Sequence, residues 1–165
     1  MSTIYLLRHA KAESSSGPDA DRDLTAGGER DARRLGRVLR RAGERPTLCI
    51  ASTARRAQRT ADLVLGAGDR DAERRSNHAL YQAQPADVLA ELRAVDESVS
   101  SVLLVGHEPA WSTVASHLVG AATLSLSPGT CVRIDCSASW SAIDFGAGIL
   151  RWMVPPALLS GLDPK

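Results

Sequence analysis

Three short apolar segments, each followed by a helical pattern, constrain the fold of this chain more than any other feature. They cover residues 3–7, 47–51 and 102–105, and their length and aliphatic composition are typical of buried strands. Between them, apolar side chains recur at helical spacing, with glycine or proline at the expected helix ends. This alternation of strands and helices favours a largely parallel sheet covered by helices on both faces.

The last third of the chain has a different pattern. Short apolar segments separated by turns rich in glycine and serine predict antiparallel edge strands over residues 131–135, 139–145 and 149–154. A charged stretch at 69–75 is expected to be a connection, and Thr25 is expected to cap the helix that follows it. We therefore predict an α/β fold, a three-layer α/β/α sandwich with a mostly parallel central sheet and antiparallel edge strands.

Composition limits the class of protein. A length of 165 residues predicts a single domain spanning 1–165. Lysine and arginine number 20 against 19 acidic residues, a net charge of +1, which argues against a nucleic-acid partner. No segment reaches the roughly 18 apolar residues of a membrane span, and the N-terminus lacks a signal-peptide pattern. The three cysteines form no CxxC motif, so we expect buried reduced thiols in a cytoplasmic protein. We expect no membrane contact, and the sequence favours a monomer without determining the oligomeric state.

Charged and polar residues follow the predicted strands at their carboxyl ends. Arg8 and His9 follow the first strand, Ser52 and Arg55 the second, and His107 the third. In a parallel sheet these ends meet at one edge, where ligands bind in such folds. Arginine forks and helix N-termini bind phosphate oxygens. The pattern predicts a pocket for a tetrahedral phosphate, in which Ser52 either donates to the phosphate or caps its own helix.

A histidine at the floor of a phosphate pocket favours nucleophilic catalysis over a role as base or metal ligand. Neutral imidazole attacks phosphorus, and a phosphohistidine intermediate divides one difficult displacement into two easier steps. A protonated His107 would stabilise charge on the phosphate oxygens together with the arginines. With these groups around the phosphate, we expect no metal and no cofactor. Lys11 and Arg56 flank the pocket, and we interpret them as surface charges.

Four motifs resemble, in the same order, those of the histidine phosphatase superfamily, which includes phosphoglycerate mutases and acid phosphatases. Residues 7–10 (Leu-Arg-His-Ala) resemble its Arg-His-Gly signature, and residues 24–28 resemble its Leu-Thr-x-x-Gly helix start. Residues 52–60 are similar to its Ser-x-x-x-Arg-Ala-x-Gln-Thr motif, and residues 105–107 to the segment with its second histidine. The order of all four is more specific than any one of them.

The resemblance implies that His9 is the nucleophile and that Arg8, Arg55 and His107 complete a catalytic phosphate pocket. The short chain and the Arg-His-Ala-Lys-Ala variant of the first motif look most like SixA-type phosphohistidine phosphatases. Larger members carry a glutamate that protonates the leaving alcohol, whereas this chain has no carboxylate between residues 77 and 86. A phosphohistidine needs less help, because imidazole has a conjugate acid of pKa about 6.5. Glu108 is a candidate proton donor.

We therefore expect a metal-independent phosphatase that acts through a covalent phosphohistidine on His9, with a phosphohistidine of a protein as substrate. Two alternatives are a broad-specificity phosphomonoesterase for small phosphorylated substrates and a non-catalytic phosphate-binding module. A mutase is disfavoured, because a pocket without a lid would hydrolyse the phosphoenzyme. The predicted loop at 12–23 is long enough to have a functional role.

Overall fold

The sheet is mixed and six-stranded within the part of the chain that the computed structural model describes, residues 1–14, 16–66, 72–120 and 122–161. Its strands are β1 (Ser2–Arg8), β2 (Leu48–Ser52), β3 (Glu73–Asn77), β4 (Ser101–Gly106), β5 (Cys131–Cys136) and β6 (Gly148–Val154). Their order is β3-β2-β4-β1-β5-β6. The first four are parallel to one another, and β5 and β6 are antiparallel, which confirms the predicted sheet.

Helices cover both faces of this sheet. They are α1 (Ala26–Arg41), α2 (Arg55–Leu65), α3 (Pro85–Arg93), α4 (Ala110–Val119) and α5 (Pro156–Leu159). The helices α1 and α2 pack together with α5 on one face, and α3 and α4 on the other. The side chain of Thr25 accepts a hydrogen bond from the Gly28 backbone N–H at 2.9 Å, so the predicted helix cap is confirmed. None of the helices described is long and apolar enough to cross a membrane.

The core lies in two layers because side chains alternate across each strand. In β1, Ile4 and Leu6 pack against α3 and α4, whereas Tyr5 and Leu7 pack against α1 and α2. The central strand β4 is buried along its whole length, as expected for a parallel strand covered on both faces. Cys131 and Cys136 belong to opposite layers, and all three cysteines are buried and free.

Two sequence-based predictions about this sheet are wrong. Residues 139–145 form no strand; they contain a short 3-10 turn at Trp140–Ala142, because the carboxylate of Glu97 and the Val99 carbonyl take the hydrogen bonds of the Trp140 backbone and indole. In the predicted connection at 69–75, Glu73 begins strand β3, while residues 69–71 lie outside the described part. Because β3 is a polar edge strand paired only with β2, it lacks an alternating apolar pattern.

Two glycines let backbone segments approach closely behind the carboxyl edge of the sheet. A side chain on Gly106, at the end of β4, would collide with the buried Trp111 ring of α4. A side chain on Gly28 would collide with the Lys11 backbone carbonyl, just after His9. Each contact holds the first turn of a helix against the chain at a strand end, α4 against the end of β4 and α1 against the segment that follows β1.

Candidate active site at the carboxyl edge of the sheet

The ends of β1, β2 and β4 bring the two predicted catalytic histidines together. The β1–β4 register pairs Arg8 with Gly106, and the His9 backbone N–H donates to the Gly106 carbonyl at 2.9 Å. The ring centroids of His9 and His107 lie 5.0 Å apart. The predicted convergence of these strand ends at one edge is therefore present in the structure.

A backbone carbonyl sets the tautomer of His9. Its Nδ1 lies 2.7 Å from the Ala10 carbonyl oxygen, and because a carbonyl only accepts, Nδ1 carries the proton. The Nε2 lone pair is then the one directed into the site, where Nε of Arg56 donates to it at 3.3 Å. An imidazole held in this way presents a single nucleophilic nitrogen.

Ser52 contacts His107 and also accepts a hydrogen bond at the start of its own helix, α2. Its Oγ lies 2.8 Å from Nε2 of His107 and accepts a weaker hydrogen bond from the Ala54 backbone N–H at 3.3 Å. The Ser52 side chain is completely buried. The hydroxyl therefore orients the second histidine, in addition to accepting a hydrogen bond at the start of α2.

Both histidines are neutral in the free protein at neutral pH. Burial lowers the pKa of His9 to about 4, with a backbone hydrogen bond to Ala10 opposing the shift and nearby arginines adding to it. Burial likewise lowers the pKa of His107 to about 3, assisted by the neighbouring His9 and by the charge of Arg56. A neutral His9 is ready to attack phosphorus. The expected protonated His107 is not the state of the free site, because burial beside cations disfavours its charge.

Three buried side-chain polar atoms lack a hydrogen-bond partner in the part of the chain described, namely Arg8 Nε, His107 Nδ1 and Glu108 Oε1. All three residues lie at the ends of β1 and β4. Burial lowers the pKa of Arg8, and the charge of Glu108 opposes this; another Arg8 nitrogen, Nη1, donates to the Leu126 carbonyl at 2.7 Å. Buried polar atoms are normally paired, so these three atoms are available to contact a polar molecule.

A carboxylate that the sequence did not predict also reaches the site. Asp19 lies in a 3-10 turn, Asp19–Asp21, within the loop predicted at 12–23. Its Oδ2 accepts from Nη2 of Arg56 at 2.9 Å and from the Tyr81 hydroxyl at 3.0 Å. The Tyr81 ring in turn meets the His107 ring edge-on, with centroids 6.0 Å apart. Asp19 therefore lies one guanidinium group away from the His9 ring.

Sequence and structure comparisons point to one family. The model of the histidine phosphatase superfamily (branch 1) matches residues 4–80. An uncharacterized protein of Mycobacterium leprae is 35% identical over 124 residues, which cover 71% of this chain and 73% of that protein. A proposed phosphohistidine phosphatase SixA from Nakamurella multipartitia has the same fold, with a TM-score of 0.83, 28% identity and coverage of 94% and 96%.

The chain belongs to the histidine phosphatase superfamily. A second SixA structure, proposed as a phosphohistidine phosphatase from Agrobacterium tumefaciens, is 25% identical, with a TM-score of 0.82 and coverage of 94% of this chain and 98% of that one. A SixA protein histidine phosphatase bound to tungstate is 22% identical with a TM-score of 0.83, over 96% and 99% of the two chains, and shares the fold. The resemblance to this family and to its SixA members is confirmed.

The structure places Arg56, and not the predicted Arg55, beside His9. Arg55 is 65% exposed and pairs with Asp23 at 2.8 Å, whereas Arg56 is 7% exposed and contacts His9. Adjacent residues on a helix point about 100° apart, so only one of them can face the histidines. The family motif itself carried the signal, since its arginine stands four residues after Ser52 and directly before Ala57.

Among the described residues, no three histidine, cysteine, aspartate or glutamate side chains lie together in a way that could hold a metal ion. Metal independence stays a prediction.

Asp19 had no recognisable signal in the sequence, because only the folding of its loop brings it to Arg56.

Proposed function

We propose that this protein is a phosphatase that hydrolyses a phosphorylated substrate through a covalent phosphohistidine on His9, and that its substrate is a phosphohistidine of a protein. The observation that carries the proposal is the orientation of His9, whose unprotonated Nε2 faces Arg56 and lies beside His107. This is the arrangement that nucleophilic attack on a bound phosphate requires.

The groups around His9 account for phosphate binding. A guanidinium has five N–H donors; Arg56 uses three of them on His9 and on the Asp19 carbonyl and carboxylate, so two remain for phosphate oxygens. Nε of Arg8 and Nδ1 of His107 add two buried groups without partners in the described structure. We infer that these groups bind the three phosphate oxygens and stabilise their charge in the transition state.

The reaction proceeds in two displacements. In the first, Nε2 of His9 releases the hydrogen bond from Arg56 Nε and its lone pair attacks phosphorus, while the bond to the leaving group breaks and the electron pair of that bond stays on the leaving atom. In the second, a water oxygen attacks phosphorus and the phosphorus–Nε2 bond breaks. That electron pair returns to His9, and the water releases a proton to solvent. His9 ends the cycle in the neutral form in which it began.

The leaving group is the basis for the proposed substrate. An alkoxide needs a proton as it leaves, and the chain places Tyr81 and Gln82 in the region where larger family members carry a glutamate. A protonated phosphohistidine leaves as neutral imidazole without that proton. The two SixA structures from Nakamurella multipartitia and Agrobacterium tumefaciens are proposed phosphohistidine phosphatases, which favours the same substrate class here.

The environment of Glu108 supports a second candidate function, that of a phosphomonoesterase for small substrates. Its Oε1 is buried and lacks a hydrogen-bond partner among the described residues, and it follows His107 directly in the chain. A carboxyl group in that place is a candidate proton donor for a leaving alcohol. On this alternative, Glu108→Gln reduces the turnover of esters with poor leaving groups and leaves the turnover of aryl phosphates unchanged.

Phosphate release from four substrates tests these functions. The substrates are a phosphohistidine peptide, a phosphoserine peptide, 3-phosphoglycerate and an aryl phosphate, with His9→Ala as the matched control. We expect kcat/KM to be highest for the phosphohistidine peptide and His9→Ala to lower it about 10⁴-fold or more. Faster turnover of phosphoserine or 3-phosphoglycerate would favour the second function, and equal release by both proteins would indicate a non-catalytic module.

A further inference from the structure

The Asp19 carboxylate lies where the mechanism proposed above requires only cations and donors. An anion beside Arg56 competes with the substrate phosphate for the same guanidinium. Hydrogen bonds from Arg22, Arg56 and Tyr81 lower the pKa of Asp19 to about 2, so this carboxylate is charged throughout the physiological range. Because this negative charge lies next to the proposed phosphate pocket, its effect on binding depends on the charge that the substrate carries.

Asp19 is anchored from several sides. Its Oδ1 pairs with Nη1 of Arg22 at 2.9 Å, and its Oδ2 receives Nη2 of Arg56 and the Tyr81 hydroxyl. Its backbone carbonyl also accepts from Nη1 of Arg56 at 2.6 Å. The 3-10 turn therefore holds this carboxylate in one position against the wall of the site.

Asp19 and His9 contact different nitrogens of the same guanidinium, Nη2 and Nε of Arg56. Arg56 is buried and reaches inward to His9, whereas the Asp19 side chain is 47% exposed at the other end of the same guanidinium. In an in-line displacement, the leaving group lies across phosphorus from the attacking Nε2. We place the leaving group on the exposed side of Arg56, where Asp19 accepts hydrogen bonds from Arg56 and from the Tyr81 hydroxyl.

We propose that Asp19 is a specificity-determining residue that selects substrates with a positively charged leaving group. The proposal rests on the phosphatase function proposed above and names the charge that its substrate carries. The second ring nitrogen of a protonated phosphohistidine donates its N–H to the acceptor position of Oδ1 that remains beside the hydrogen bond from Arg22. When the phosphorus–nitrogen bond breaks, the electron pair neutralises the ring, which leaves as imidazole with that N–H intact. A leaving group that carries a carboxylate, as in 3-phosphoglycerate, is repelled instead.

Asp19→Asn tests this charge selection, because it removes the charge and keeps the size of the side chain. The control is Asp21→Asn, which makes the same change two residues away on an exposed side chain of the same turn. Each variant and the unmodified protein are assayed with a phosphohistidine peptide, 3-phosphoglycerate and 4-nitrophenyl phosphate. The aryl phosphate is the reference, since its leaving group departs without assistance.

For Asp19→Asn we expect the ratio of kcat/KM for phosphohistidine to that for the aryl phosphate to fall about tenfold, and the ratio for 3-phosphoglycerate to rise. Asp21→Asn should leave both ratios unchanged. An equal loss of kcat/KM with all three substrates would show that Asp19 only stabilises the 3-10 turn. An equal gain of kcat/KM would show that Asp19 only competes with phosphate for Arg56. Either result overturns the proposal. Failure of the unmodified protein to release phosphate from any substrate would instead contradict the phosphatase function itself.

Discussion

Two groups of charged side chains lie at opposite ends of β1, and they differ in how their polar atoms are paired. At the amino end, both carboxylate oxygens of Asp135 accept hydrogen bonds, from Thr3, Arg133 and Arg151. Arg133 also donates to both oxygens of Glu44. We call these residues the Asp135 cluster. At the carboxyl end, Arg8, His107 and Glu108 each keep a buried atom without a partner in the described structure.

This difference separates a structural group of charges from a functional one. A buried polar atom without a partner costs about 1–3 kcal/mol, so the carboxyl end is less stable than it would be with paired atoms. The Asp135 cluster carries no such cost, and it joins β1, β5 and β6 at the antiparallel side of the sheet. The comparison predicts that substitutions at the carboxyl end reduce activity, whereas substitutions in the Asp135 cluster reduce stability.

Among the substitutions that test this comparison, the largest effect is expected from Arg56→Ala, with Arg55→Ala as the matched control. Arg56 is the arginine that contacts His9, and loss of one donor to a reacting phosphate lowers kcat about 10²–10³-fold. Arg55 is exposed and pairs with Asp23, so its removal should change kcat by less than about threefold. Steady-state kinetics with the aryl phosphate measure both. A larger loss of kcat for Arg55→Ala than for Arg56→Ala would indicate that Arg55, and not Arg56, binds the phosphate.

The next effect concerns the protonation of the histidine pair. We expect His9 and His107 to titrate with pKa values of about 4 and about 3, well below the ordinary 6.5. The Cε1–H resonances of both rings should therefore stay constant in NMR spectra between pH 8 and pH 5, with His9→Gln assigning the signals. A midpoint near 6.5 for either ring would contradict the neutral pair.

These lowered pKa values also set how stability depends on pH. Below pH 6.5 the unfolded chain binds protons at both histidines, while the folded protein does not bind them until the pH approaches 4. The free energy of unfolding should therefore fall as the pH drops from about 7 towards 4. Denaturant unfolding at several pH values measures this, and His9→Gln should reduce the slope.

The smallest effect is expected from Asp135→Asn, which tests the other end of β1. Asp135 is only 4% exposed and holds two arginines, so the loss of its charge should lower the free energy of unfolding by about 2 kcal/mol. Asp62→Asn is the control, because its pair with Arg74 is exposed on both sides and should contribute less than about 1 kcal/mol. Urea unfolding compares the two variants.

Activity provides the second measurement for Asp135→Asn. The kcat per folded molecule should match that of the unmodified protein, since the Asp135 cluster lies at the end of β1 away from His9. A variant that kept its stability and lost its activity would remove the distinction between the two regions.

Sequence patterns predicted the elements whose environment is regular. The apolar strands β1, β2 and β4 and the cap at Thr25 follow local rules of burial and hydrogen bonding, so their positions could be predicted from the chain alone. The polar edge strand β3 and the turn at Trp140–Ala142 could not. The first depends on pairing with β2, and the second on the distant carboxylate of Glu97.

The same division holds in the site. The sequence determined that His9 and His107 follow parallel strands, and parallel strands end at one edge, so their proximity followed from topology. Burial patterns alone did not decide which of two adjacent arginines faces the histidines, because a helix turns about 100° per residue and its rotation is set by packing. The family motif indicated Arg56, and the tertiary structure places that side chain beside His9. Tertiary structure alone brought Asp19 to Arg56, since residues 37 apart in sequence meet only when the loop folds over the sheet edge.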